Sequence, residues 1–331
     1  MKTALITGIT GQDGPYLTDW LLSKNYRVVG FAENTSESQL RNLKFLNLLE
    51  KVELYTANLI DLSNIIRIFE KVKPDEVYHL AAQSSVGLSF DQPIGTLEFN
   101  IISTANILEA IRIINPKIRF YNASSSEMYG NVKESQLPVT EESVLHPVSP
   151  YAISKATAHW ITINYREAYG LFAACGILFN HESVLRGSNF VTKKILNTAV
   201  KIKKGIKGEL VLGNINISRD WGYAPEYIKA MWLMLQQDKP DDFLICSGEH
   251  HRLEEFVSLV FEKLELDFGK YVKFDKKNYR PVDLSIIYGD NSKARNILNW
   301  KYDLSFEKLI EHLITDEEKF VEWEIKKNKL Y

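Results

Sequence analysis

Tyr151 and Lys155 stand four residues apart in Ser149-Pro150-Tyr151-Ala152-Ile153-Ser154-Lys155, a segment that reads as the opening of a helix. That spacing puts both side chains on one helix face. A phenol with a pKa near 10 is a poor base at neutral pH. A lysine ammonium beside it, with a second positive charge nearby, would stabilise the phenolate and bring it into a useful range. Upstream, Ala123-Ser124-Ser125-Ser126-Glu127-Met128-Tyr129-Gly130 ends an apolar run with hydroxyls that could hold a substrate oxygen, and with the carboxylate of Glu127. A Tyr-x-x-x-Lys pair alone is usually a solvated helix face. Its weight comes from what precedes it in the chain.

Gly8-Ile9-Thr10-Gly11-Gln12-Asp13-Gly14 follows the first strand-like run and opens the first helical pattern. Glycines at the first, fourth and seventh positions permit a tight turn and a close approach of backbone to a pyrophosphate. The helix N-terminus then supplies free N–H groups and a positive dipole end. Pro15 suits the first helical turn, where its missing N–H costs nothing. The pattern predicts a dinucleotide site, and a nicotinamide would bring the second positive charge to Tyr151. Cofactor choice is read at the end of the second strand, where Phe31-Ala32-Glu33-Asn34 places a carboxylate able to accept from both ribose hydroxyls. A 2′-phosphate beside Glu33 would be repelled unless Arg41 or Lys44 folded over it. NAD(H) is therefore favoured.

The elements that must position these residues alternate. Strand-like runs at Lys2–Thr7, Arg27–Phe31, Val52–Ala57, Glu76–Leu80, Ile118–Ser124 and Ala173–Phe179 are separated by helical patterns. The latter include Ser63–Val72, Thr96–Ile114 and Tyr151–Tyr169. Strand–helix alternation implies right-handed crossovers and a parallel sheet covered on both faces. The expected fold is α/β, a Rossmann-like doubly wound sheet over residues 1–180. A smaller mixed α/β substrate domain is expected over 181–331, with a segment around 215–245 returning to the first. Further helices are expected at Phe190–Lys203, Pro225–Gln237, Leu253–Leu264 and Phe306–Trp323.

The 331 residues carry 40 Lys+Arg against 42 Asp+Glu, a net charge of −2, so nothing draws the protein as a whole to nucleic acid or membrane. With no run of 18 apolar residues and no secretory leader pattern, a cytoplasmic location is expected. Cys175 and Cys246 lie in separate apolar segments without metal spacing and read as buried thiols. His79 reads as core, the His250-His251 pair lacks further ligands, and no metal is expected.

The chain resembles the GDP-mannose 4,6-dehydratase family of the extended short-chain dehydrogenase/reductases. The resemblance is carried by Ile6–Leu17 (ITGITGQDGPYL), Leu80–Phe90 (LAAQSSVGLSF), Asn164–Gly170 (NYREAYG) and Phe179–Ser183 (FNHES). It continues through Arg186-Gly187, Asn189–Ile195 (NFVTKKI), Arg219–Gly222 (RDWG), Met231–Asp242, Arg280-Pro281 and Gly289-Asp290. It implies that Tyr151 takes the proton from a sugar 4-hydroxyl as hydride leaves C4, with Lys155 lowering its pKa. Ser125, where the family usually has threonine, would hold the 4-oxygen. Glu127 would remove the C5 proton and help expel the C6 hydroxyl as water.

The resemblance further implies cofactor contacts from Gly8, Thr10, Gly11, Gln12, Asp13, Gly14, Glu33, Asn58, Leu59, Leu80, Ala81 and Ala82, together with Tyr151 and Lys155. It places Ser85, Ser126, Asn180, Asn189, Lys193, Arg219, Arg280 and Asp283 around the GDP-sugar. Arg219 and Arg280 would be the diphosphate clamps. A homo-oligomer is implied, dimer or tetramer, with helices near Thr96–Ile114 and Ala156–Tyr169 meeting across a two-fold axis. Three departures stand out. Glu33-Asn34 replaces paired arginines tied to NADP(H) binding and a tetramer contact, Val184-Leu185 replaces Pro-Arg, and Ser85 replaces a histidine. The first counts against NADP(H), which the resemblance otherwise allows, and against the tetramer contact; the changes near the sugar leave room for a GDP-manno-heptose substrate. The competing readings are a C4 dehydrogenase, reductase or epimerase, which needs no carboxylate at C5, and a silent dinucleotide-sensing module.

Overall fold

The computed structural model describes residues 1–275, 277 and 284–328. Thr3–Thr7 (β1) is a run of five buried residues, as expected of a strand covered on both faces. It leads through the glycine turn into Asp13–Ser23 (α1). Arg27–Ala32 (β2), Arg41–Phe45 (α2), Glu53–Thr56 (β3), Leu62–Val72 (α3) and Glu76–His79 (β4) follow. Next come Val86–Asp91 (α4), the long Pro93–Ile114 (α5), Arg119–Ser125 (β5), Pro150–Tyr169 (α6) and Ala173–Leu178 (β6).

Asn180–Glu182 (β7), Val191–Lys203 (α7), Leu210–Leu212 (β8), Ser218–Arg219 (β9) and Trp221–Tyr223 (β10) carry the chain to Ala224–Met234 (α8) and Asp242–Ile245 (β11). His251–Arg252 (β12), Leu253–Lys263 (α9), Phe268–Tyr271 (α10), Val272–Phe274 (β13) and Ile286–Ile287 (β14) come after. Ser292–Leu298 (α11) and Phe306–Asn328 (α12) complete the described chain.

Seven strands form one parallel sheet in the order β11-β6-β5-β4-β1-β2-β3. This is the Rossmann-like doubly wound fold. The chain walks outward from β1 through β2 to β3, then restarts on the other side of β1 at β4. The reversal opens a crevice at the carboxyl ends of β1 and β4, where such sheets bind ligands.

One face of the sheet is covered by α3 and α5, with Ile65, Phe69, Ile107 and Ile111 buried. Helix α6 lies beside α5. On the other face α1 and α8 meet in a core that includes Leu17, Leu21, Tyr227 and Met231. The chain returns to this core at Ala294, Leu298, Trp300 and Tyr302.

A separate apolar cluster joins α7, α9 and α12 with β8 and β13, through Leu196, Phe256, Val260 and Leu313. Helix α12 is tied to α7 by an ion pair. Lys193 Nζ lies 2.5 Å from Glu317 Oε2 and donates to Val184 O at 2.7 Å, while Asn197 Nδ2 donates to Glu317 Oε1. Both charges are buried, and the pair is sealed by Phe320, whose ring centre lies 4.4 Å from the ammonium.

Removing one member would leave the other charge buried without its counter-ion, a change that typically costs about 3–5 kcal/mol. Glu317→Ala should therefore destabilise the protein by about 3 kcal/mol in urea denaturation. The double variant Lys193→Met, Glu317→Leu should recover most of that loss.

Candidate active site

The crevice is a cavity of about 840 Å³. Its floor is the glycine turn. Gly8 has φ +71°, and a Cβ there would sit 2.8 Å from Ala81 N, so only glycine lets β1 turn against the segment leaving β4. Gly8, Thr10, Gly11, Gln12 and Asp13 line the cavity from below, and Leu80, Ala81 and Ala82 from the β4 side. Glu33, Asn58 and Leu59 close one end. Gly14 stands off this wall. A Cβ at Gly14 would meet Ile9 backbone atoms at 2.5 Å, so its smallness serves the packing of α1 onto the turn.

The other end gathers Ser125, Glu127, Tyr151 and Lys155. Ser125 is the last residue of β5. Its hydroxyl accepts from Glu127 N at 3.3 Å and so starts the single 3₁₀ turn Ser126–Tyr129 that aims Glu127 inward. Tyr151 and Lys155 ride on α6, whose start is set by Ser149. The Ser149 hydroxyl accepts from Ala152 N at 3.1 Å, and Pro150 fills the first helical position. Asn100 on α5 donates to Ser154 Oγ at 2.8 Å and accepts from Gln83 N at 2.8 Å, fixing α6 against the loop after β4.

Burial dominates the electrostatics here. It pushes the Tyr151 phenol up to about 12, against a hydrogen bond with Ser125 and the Arg186 guanidinium, which pull it down. Burial also lowers the Lys155 ammonium to about 8. His79, pulled down to about 3 by burial and then by Lys155, is a neutral core histidine between Thr7 and Thr104.

At Asp13, burial pushes the carboxyl up. His181, 2.9 Å away, outweighs this and holds it below the usual carboxylate range. Gln12 Nε2 donates to His181 O at 3.0 Å, so the glycine turn is tied to β7 by two consecutive side chains.

Among the residues expected around a substrate, Ser85, Asn180 and Asn189 line the cavity. Ser85 also caps α4, accepting from Leu88 N. Three others stand off its wall, each for a packing reason. Ser126 is buried inside the 3₁₀ turn. Lys193 is committed to Glu317 and Val184 O. Arg219 is buried, with its Nη1 donating to Leu284 O at 2.7 Å and Ser218 O at 2.9 Å. Arg280 and Asp283 lie outside the described residues.

The cavity also takes in residues to which the sequence reading gave no role: Gln83, Phe31, His181, Arg186 and Phe190. The Arg186 guanidinium carbon sits 3.9 Å from the Phe190 ring centre, and its Nε lies 3.6 Å from Glu182. The signal for His181 and Arg186 lay in the FNHES and Arg186-Gly187 segments, and for Gln83 and Phe190 in LAAQSSVGLSF and NFVTKKI, all of which carry the family resemblance. A lone arginine or histidine there has no spacing pattern of its own.

A glycine turn at a helix N-terminus, the Glu33 carboxylate beyond the second strand and a Tyr–Lys pair lining one crevice are the constellation of a short-chain dehydrogenase/reductase site of the extended type. Solved structures agree on the fold. RMD from Pseudomonas aeruginosa complexed with NADPH matches with TM-score 0.81 and 22% identity, covering 97% of this chain and all of that one. dTDP-glucose 4,6-dehydratase from Bacillus anthracis in complex with NAD matches with TM-score 0.84 and 20% identity, over 98% of each chain.

The sequence comparisons are narrower. The family model for GDP-mannose 4,6 dehydratase matches residues 5–313. GDP-mannose 4,6 dehydratase 2 of Arabidopsis thaliana is 45% identical over 326 residues, 96% of this chain and 87% of that protein. The Homo sapiens GDP-mannose 4,6 dehydratase is 41% identical over 339 residues, 95% of this chain and 90% of that one. The chain belongs to the GDP-mannose 4,6-dehydratase family.

A lysine with a folded pKa of about 8 against 10.5 when unfolded leaves the unfolded chain holding more protons between those values. Stability contributed by this site therefore rises with pH across that window. Urea denaturation from about pH 8 to pH 10 should show the parent gaining roughly 2 kcal/mol relative to Lys155→Met. A flat difference would mean that Lys155 is not desolvated.

Proposed function

We propose that the protein is a GDP-mannose 4,6-dehydratase, converting a GDP-linked sugar to its 4-keto-6-deoxy product with loss of water and no net redox change. The observation that carries this reading is the convergence of Glu127 with Ser125, Tyr151 and Lys155 at one end of the cavity. A C4 dehydrogenase or epimerase needs the last three but no carboxylate base. The glycine cradle at Gly8 and the N-terminus of α1 fit a dinucleotide pyrophosphate. When bound, the nicotinamide accepts hydride from the sugar C4 and later returns it to C6.

The chain's own residues handle the protons. Ser125 donates to the sugar 4-oxygen and holds it beside Tyr151. Tyr151, whose burial keeps it a neutral phenol, would lose its proton to bulk where Lys155 and a bound positive ring stabilise the phenolate, and then takes the 4-hydroxyl proton. The new 4-ketone acidifies C5–H. Glu127 removes that proton and delivers it to the departing C6 hydroxyl, which leaves as water. When C6 regains hydride, Tyr151 gives C5 the proton it took from the 4-hydroxyl, so the net change is loss of one water.

Glu33 supports NAD(H) as the cofactor, because its carboxylate at the adenosine end accepts from both ribose hydroxyls and repels a 2′-phosphate. NADP(H), which the resemblance also allowed, is the less favoured partner of this end. The buried free thiols Cys175 and Cys246 support a reducing, cytoplasmic setting. Among the described residues no helix is long and apolar enough to cross a membrane, and no group of three or more His, Cys, Asp or Glu gathers to hold a metal. A second copy of this chain is the proposed partner of the α5–α6 face, where Ile94, Ile102, Ile153 and Trp160 are exposed.

Incubation with GDP-mannose and NAD should give a product lighter by one water without build-up of reduced nicotinamide, read by mass spectrometry. GDP-manno-heptose in a parallel arm decides between sugars. Glu127→Gln should lower water loss at least about hundredfold, and Tyr151→Phe should block C4 oxidation itself. Dehydration by Glu127→Gln at the parent rate would remove Glu127 from the base role. Sedimentation velocity at micromolar concentration should show at least a dimer, and Trp160→Glu with Ile153→Glu should shift it to monomer.

A further inference from the structure

The segment after β2 lies between the glycine turn and the C-terminal helix. Thr10 Oγ1 donates to Gln39 Oε1 at 3.3 Å, and Asn42 Nδ2 donates to Gly11 O at 2.9 Å, which place this segment over the adenosine end of the cavity. Its two cations, Arg41 and Lys44, are those with the sequence position to reach a phosphate beside Glu33. Both are already engaged.

Arg41 is paired with Glu324 on α12, and its guanidinium carbon lies 4.4 Å from the centre of the Phe320 ring. Phe320 is itself buried and braced by Phe45 at 4.8 Å and Trp323 at 5.7 Å between ring centres. Lys44 is paired with Glu37, which also accepts from Lys327 on α12 at 2.9 Å.

We propose that α12 acts as a specificity clasp for the cofactor: Glu324 and Glu37 hold Arg41 and Lys44 away from the ribose, so the site selects the unphosphorylated dinucleotide. The proposal rests on the reading that the dinucleotide lies along the glycine turn with its ribose at Glu33. A surface ion pair alone would yield to a dianionic phosphate, since such pairs are individually weak. Arg41 is held differently. To turn back it must leave a carboxylate and an aromatic face together. Discrimination thus comes from repulsion by Glu33 plus the withholding of the only nearby compensation among the described residues of this segment.

The test is equilibrium binding of NAD and NADP to the full-length protein by isothermal titration calorimetry. The parent should bind NAD at least about tenfold more tightly than NADP. Glu37→Gln with Glu324→Gln should strengthen NADP binding about tenfold by releasing one or two charge-assisted contacts. NAD binding should stay within about threefold. Adding Arg41→Ala to that pair should cancel the gain.

An unchanged NADP affinity in the double variant overturns the clasp while leaving the dinucleotide reading intact. A parent that binds NADP as well as NAD overturns the clasp together with the role of Glu33. A parent that binds neither overturns the underlying site. If the double variant loses NAD binding, Glu324→Gln alone decides: a gain of about threefold for NADP supports the clasp, and no gain overturns it.

Discussion

The buried hydrogen bond between Thr7 and His79 is the node on which the site depends. Thr7 Oγ1 bonds His79 Nδ1 at 2.8 Å and also accepts from the backbone of Leu80 and Ala81 at 3.2 Å. The opposite ring nitrogen meets Thr104 on α5 at 3.1 Å. One side chain at the end of β1 therefore fixes the exit of β4 and the seat of α5. From α5, Asn100 reaches both the loop after β4 and Ser154 on α6, between Tyr151 and Lys155. The side chains of Thr7, His79, Thr104, Asn100 and Ser154 in this relay are buried, where an unpaired polar group would cost several times what a satisfied one contributes. The relay holds the glycine turn and the Tyr–Lys helix in one register, and a neutral His79 lets it do so beside an ammonium.

The same burial that builds the site sets its charges. Desolvation moves Tyr151 up to about 12 and Lys155 down to about 8, each towards its neutral form. At neutral pH that leaves Tyr151 a neutral phenol and Lys155 still mostly an ammonium. On the proposed reading, a bound positive ring would favour the phenolate, and the phenolate would in turn favour the ammonium. Proton abstraction without that ring would carry the cost of an isolated buried phenolate.

Much of this was legible in the sequence, because its signals are local. Strand runs such as Lys2–Thr7 and helix starts such as Ser149-Pro150 follow from burial on both faces and from capping, and the structure agrees to within a few residues. The glycine turn and the Tyr–Lys spacing are likewise contained in short segments. What the sequence did not carry was long-range. Nothing near Lys193 announces Glu317, 124 residues away, yet this lysine, which the resemblance set around the GDP-sugar, is paired inside the fold. Nor does anything near Arg219 announce the carbonyls of β9 and of the segment before β14 that its guanidinium meets. Short amphipathic pieces such as α2 and α11 carry too few residues for a period to emerge.

Helix α12 shows how such long-range contacts acquire a function. Val184 and Leu185, where the resemblance led one to expect proline and arginine, are buried against Phe320, with Tyr16, Phe45 and Trp323 around them. These two side chains form a floor for aromatic residues of α12. The helix lies across the segment that follows β2, where its Glu324 meets Arg41 and its Lys327 meets Glu37. Apolar packing supplies the adhesion and the ion pairs supply the register, since isolated surface pairs contribute little by themselves. The departure at Val184-Leu185 borders this helix, and the segment that follows Glu33-Asn34 is tied to it through Glu37 and Arg41. Under the proposed clasp, a carboxylate at the ribose and cations held away from it have the same electrostatic consequence.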